Sequence, residues 1–206
     1  MKGDSVKYNN FFSTISYLLH PITVPLIAVV LYFVYSPHYT TTNSETTIVI
    51  TVFILTYLIP LAAILVLWKM KLISALHMPL VTDRKRPLII LILLYAILVK
   101  KVFTPANFYE LHTFFYSVIL ASVVAYLALF FNKKISLHML GLGGLLGFFI
   151  YVSMYQHENY LKLIILVLLF SGLVASARLV VKAHTISEVV LGFFVGLLLQ
   201  FTYLFY

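Results

Sequence analysis

Residues 161–177, LKLIILVLLFSGLVASA, carry a single charge and stop directly at Arg178. A solvated surface helix needs polar residues on every turn, and this run has none of that periodicity. It approaches the ~20 residues needed to cross a bilayer core. Inside lipid only a helix can satisfy the backbone of such a run. The rest of the chain repeats the pattern. Apolar stretches occupy approximately residues 17–35, 48–68, 88–103, 114–131, 140–155 and 189–206 as well. The 206 residues are 63% hydrophobic and 10% charged, whereas soluble domains carry about 25% charged residues. That balance excludes a water-soluble globule, and its apolar content excludes a disordered chain. The expected architecture is all-α: a polytopic transmembrane helical bundle forming one integral-membrane domain over residues 1–206. The stretches at 88–103 and 140–155 are short, so the count is seven spans, or six with one re-entrant helix.

Basic residues number 14 and acidic residues 6, for a net charge of +8. They are unevenly placed. Lys2, Lys7, Lys69, Lys71, Arg84, Lys85, Arg86, Lys133, Lys134, Arg178 and Lys182 fall on one set of connecting segments. Only Lys100, Lys101 and Lys162 fall on the other. The positive-inside rule puts the first face, with the N-terminus, in the cytoplasm. In a soluble protein this surplus would suggest nucleic acid. Beside a bilayer the expected partners are the bilayer's own anionic headgroups and a phosphorylated membrane lipid, with no nucleic acid. Cysteine is absent, which removes disulfides, thiolate ligands and a thiol nucleophile. The polar segment Met1–Asn10 is not followed by a short apolar core with a small-residue cleavage site, so no cleaved signal peptide is expected.

Three polar clusters punctuate the apolar pattern: Thr82-Asp83-Arg84-Lys85-Arg86-Pro87, Ser136-Leu137-His138, and Arg178–Glu188. Two spans separate each from the next, so all three return to one face. Ionisable groups at membrane depth are costly and mark functional sites. His184 and Glu188 are four apart and share a helix face. A carboxylate there accepts one imidazole N–H and raises the basicity of the other nitrogen, as a nucleophilic histidine requires. The same pair also reads as a helix-capping arrangement at a wet interface. Ser136 and His138 open a helix, whose first N–H groups favour an anion. His138 there can donate a proton to a leaving oxygen, and Ser136 reads equally as an N-cap. The arginines of the first cluster suit bidentate phosphate binding or simple contact with headgroups.

Taken in order, Arg86-Pro87, then Ser136-x-His138, then Arg178-x5-His184-x3-Glu188, resemble the three signature motifs of the type 2 phosphatidic-acid phosphatase superfamily. The resemblance covers a core of about residues 84–192. Pro79 stands where that family has a lysine, Ile135 and Leu137 replace a proline and a glycine, Ala177 replaces a serine, and Glu188 replaces an aspartate. The resemblance implies metal-independent hydrolysis, with no cofactor, of a phosphomonoester or pyrophosphate on a phospholipid or polyprenyl lipid. His184 would form a phosphohistidine, Glu188 would orient it, and His138 would act as acid and then base. Arg86, Arg178 and Ser136 would hold the phosphate, with Arg84 or Lys85 replacing the missing lysine charge. The implied location is a bacterial inner membrane, and the loop charges turn the site toward the cytoplasm. The departures leave open a catalytically degenerate protein that binds or transports a lipid phosphate on the same scaffold. A transporter unrelated to the family would need charges at mid-depth, and here they lie at the ends of the apolar stretches.

Gly143 and Gly147, like Gly192 and Gly196, are four apart and predict close helix packing. His20, His38, His77, His112 and His157 fit no motif and read as interfacial or loop residues, with His77 on the basic face.

Overall fold

The structure, a computed structural model, describes residues 14–16, 19–36, 42–76, 78 and 80–202, without the side chains of residues 42 and 43. His38, His77, Pro79, Lys2 and Lys7 lie outside the described residues. The described residues are mainly helical, and none of them forms a strand. In chain order the helices are α1 (Val24–Tyr35), α2 (Thr42–Phe53), a π-helical turn (Ile54–Leu58), α3 (Ile59–Lys69), α4 (Val81–Lys101), α5 (Tyr109–Ala128, closed by a 3-10 turn at Leu129–Phe131), α6 (Leu137–Gln156), α7 (Leu161–Val180) and α8 (Ile186–Leu199).

Four of these segments are long and apolar enough to cross a membrane: Ser44–Lys69, Tyr109–Phe131, Leu137–Gln156 and Leu161–Val180. Among the described residues the first apolar stretch carries a 12-residue helix, Val24–Tyr35, and the last is entered by a 14-residue helix, Ile186–Leu199. The stretch expected to be short at 140–155 forms a full 20-residue helix, because it is extended by Leu137, His138 and Met139 at its start and by Gln156 at its end. Helix α4 has 21 residues, yet its uninterrupted apolar part, residues 87–99, spans only ~20 Å at ~1.5 Å per residue. It also begins seven residues before the apolar stretch, so the basic cluster lies within the helix rather than in the loop before it. Asp83 in its first turn favours that early start. Glu110 and His112 likewise lie on α5, not in the preceding connection.

The π-turn has a local cause. Pro60 has no N–H to give the Thr56 carbonyl, and its ring crowds that oxygen. The helix widens by one residue immediately before it.

The chain divides into two compact units, residues 1–24 with 135–206, and residues 25–134. In the second unit, α4 and α5 close over aromatic packing. Phe103 stacks on Phe115 with ring centroids 5.0 Å apart, and Tyr95 tilts against the same ring at 6.0 Å.

In the first unit α6 is the centre. It is buried along most of its length, whereas α7 leaves Leu161, Ile165, Leu168, Leu169 and Leu173 exposed, as a lipid-facing helix would. Helices α6 and α8 cross at backbone contact. A Cβ at Gly196 would run into the Leu140 carbonyl, and one at Gly192 would come within 2.6 Å of the Ser136 carbonyl. Only hydrogen fits at these points, which confirms the close packing expected from the glycine spacing.

Candidate functional site

The turn between α7 and α8 is fixed at both ends. Helix α7 closes with the two bonds of a Schellman motif, Ala183 N–H to Arg178 O (3.1 Å) and Lys182 N–H to Leu179 O (3.0 Å). Lys182 takes the left-handed position, φ 52°, where glycine is usual. Helix α8 opens with a capping box: the Thr185 hydroxyl accepts the Glu188 N–H, and the Glu188 carboxylate accepts the Thr185 N–H, each at 3.3 Å. Arg178 and His184 are thereby brought to the two sides of one short turn.

The same Glu188 oxygen, Oε2, accepts the Nδ1–H of His184 at 2.6 Å. One carboxylate thus caps the helix and also accepts the histidine N–H. With Nδ1 donating, Nε2 is the ring nitrogen that carries the lone pair. His184 is buried, at 8% exposure.

A main-chain bond ties this turn to the start of α6: Ser136 N–H donates to Glu188 O at 3.1 Å. Ser136 occupies the N-cap position of α6, but its side chain makes no capping bond. Its hydroxyl is fully buried and has no hydrogen-bond partner among the described residues. A buried hydroxyl is normally paired. This one stands at a helix N-terminus, where a ligand oxygen is favoured.

His138, the second residue of α6, donates Nε2–H to the Ser16 carbonyl at 3.0 Å. A carbonyl only accepts, so the bond assigns the hydrogen to Nε2 and leaves Nδ1 as the nitrogen able to exchange a proton. Arg178 and His184 lie within electrostatic reach of this imidazole. The Ser16 hydroxyl is also buried and has no partner among the described residues.

Of the residues singled out from sequence, His184, Glu188, Ser136, His138 and Arg178 are thus assembled in one unit. Arg84 and Arg86 belong to the other unit. There Arg84 Nε donates to the Met78 carbonyl at 3.2 Å, and Arg86 donates to the Leu72 carbonyl. Sequence reasoning missed His20. It sits in the turn before α1, half-buried, with its ring edge-on to His138 at 5.4 Å and 78°. Burial, and then the charge of Arg178, hold the His20 imidazole below its usual pKa. Its signal was available: His20 opens the first apolar stretch as the three polar clusters open the third, fifth and seventh. Among the described residues no group of three or more His, Asp or Glu side chains is placed to hold a metal ion.

Comparison of the chain with known protein families, curated proteins and solved structures returns no match.

Proposed function

We propose that the protein is an integral-membrane phosphatase that hydrolyses a phosphate or pyrophosphate ester of a membrane lipid by way of a phosphohistidine. The observation that carries the reading is the His184–Glu188 pair, at 2.6 Å, linked through the Ser136–Glu188 backbone bond to the helix that bears His138. It is a nucleophile with its orienting carboxylate, beside a second imidazole and a buried hydroxyl that has no partner among the described residues. In the first step His138 enters as an imidazolium, with Nε2–H on the Ser16 carbonyl and its second proton on Nδ1; His184 Nε2 attacks phosphorus, the P–O bond to the leaving group breaks, and His138 Nδ1 gives its proton to the departing oxygen. In the second, His138 takes a proton from water, whose oxygen attacks phosphorus. The P–N bond breaks and inorganic phosphate leaves. Arg178 and Ser136 neutralise charge on the phosphoryl oxygens. Phosphoryl transfer needs mainly such positioning and charge stabilisation.

The four long apolar helices would cross the bilayer, with α1, α4 and α8 as shorter or tilted crossings that bring the count to seven. The basic loops would then face the cytoplasm. The native chain has no cysteine, so single cysteines introduced at Lys182 and Asn159 test this cleanly. An impermeant maleimide applied to intact cells should label the second and spare the first.

The decisive assay uses purified protein in proteoliposomes with a metal chelator present. Phosphate release is followed from phosphatidic acid and from a polyprenyl pyrophosphate. Release from at least one, abolished by His184→Ala, together with acid-labile radiolabel trapped on the wild type, is the expected result. Undiminished turnover in His184→Ala removes the nucleophile. Tight binding of a phosphorylated lipid without turnover selects the binding or transport reading, which the Pro79 and Ala177 replacements favour.

A further inference from the structure

The turn before α1 has two faces. Ile15 and Leu19 pack against the core cluster of Met139, Leu142, Val174 and Val189, and Leu19 N–H closes a helical turn onto Ile15 O at 3.0 Å. The residues one position further along, Ser16 and His20, fall on the adjoining face. Both meet His138. The Ser16 carbonyl takes its Nε2–H at 3.0 Å, and the His20 ring stands edge-on to it at 5.4 Å.

The His20 ring is itself held. Its Nδ1 accepts the Ile22 N–H at 3.3 Å, and its carbonyl accepts both the N–H and the hydroxyl of Thr23, at 2.8 and 2.7 Å. Pro21 fixes the intervening backbone. A ring with this many restraints, apolar anchors on one side and His138 on the other, serves as a template for its neighbour. Edge-to-face packing has a defined geometry, and the Ser16 carbonyl defines a tautomer.

We infer that His20 is a positioning residue for His138: its edge-on ring, with the Ser16 carbonyl, holds the His138 imidazole in one orientation and one tautomer, leaving Nδ1 to move the proton. The consequence for rate rests on the phosphatase reading above; the geometry does not. Wild type, His20→Phe and His20→Ala are compared in nanodiscs after 15N labelling of histidine, with His138→Gln assigning the His138 resonance. Wild type and His20→Phe, which keeps the aromatic edge, give a slowly exchanging His138 Nε2–H signal. His20→Ala broadens or loses it. In parallel kcat falls about tenfold in His20→Ala with KM within about twofold, and recovers to within about threefold of wild type in His20→Phe. Where His20→Ala does not fold, His20→Leu, which fills the volume without an aromatic edge, replaces it. An unchanged His138 signal in the ring-deleted variant overturns the inference, as does a His20→Phe protein that behaves like it. If wild type itself releases no phosphate, the phosphatase reading falls, and the spectroscopic comparison alone decides the positioning role.

Discussion

The molecule carries two dense polar clusters, one in each unit, and they are built differently. At the start of α4 the side chains of Asp83, Arg84, Lys85 and Arg86 all have partners in their own unit. The Asp83 carboxylate takes the Ser74 hydroxyl at 2.5 Å, Arg84 and Arg86 hold the Met78 and Leu72 carbonyls, and the Lys85 ammonium lies 4.3 Å from the centre of the Phe130 ring. This cluster clasps the segment after α3 and the end of α5 to α4. In the other unit His184, Glu188 and His138 are also bonded, but the bonds orient them without saturating the cluster. The buried hydroxyls of Ser16 and Ser136 have no partner among the described residues. Charge density, greater in the first cluster, is thus the poorer guide to a binding site. Buried hydrogen-bonding capacity held in reserve is the better one, because folding alone leaves few such groups unmatched.

The largest effect that this contrast predicts is at His184. On the proposed reading, replacing it with Ala removes the nucleophile, and phosphate release should fall by at least about a thousandfold, roughly 4 kcal/mol of barrier. Ser136→Ala separates the clusters more sharply. Its hydroxyl has no bond to lose among the described residues, so unfolding in detergent should shift by less than about 0.5 kcal/mol. Phosphate release should nonetheless drop about a hundredfold, as for loss of one transition-state donor. A Ser136→Ala protein with normal turnover would mean that the reserved hydroxyl faces no substrate.

How much of this was legible in the sequence depended on distance along the chain. Hydropathy located a helix at every apolar stretch, because an apolar run has no other way to satisfy its backbone in lipid. It misplaced their starts, as at α4, because polar residues such as Asp83 in the first turn carry a helix beyond its apolar part. The His184–Glu188 pair was readable because a spacing of four is a local geometric fact. The contact of His138 with Ser16, 122 residues away, follows from no local pattern, and so His20 went unassigned. Nor does sequence reveal that Arg84 and Arg86 bond to backbone carbonyls, since any residue can supply one.

The first cluster should respond in stability. Ser74→Ala leaves the Asp83 carboxylate, 7% exposed, without its hydroxyl donor. Removing one partner of a buried charged group costs about 2 kcal/mol, read as an earlier unfolding transition with turnover per folded molecule unchanged. Arg86→Ala gives the smallest effect and the most severe test. Its guanidinium is exposed, so the lost bond to the Leu72 carbonyl is worth about 1 kcal/mol or less. The visible change should be faster proteolytic nicking of residues 70–80. The family resemblance assigns Arg86 to the phosphate instead. If Arg86→Ala folds normally and keeps its protease resistance but loses turnover by a hundredfold, the arginine serves the chemistry, and its carbonyl bond is incidental. The contrast between a saturated cluster and a reserved one would then fail at the residue where the two accounts differ most.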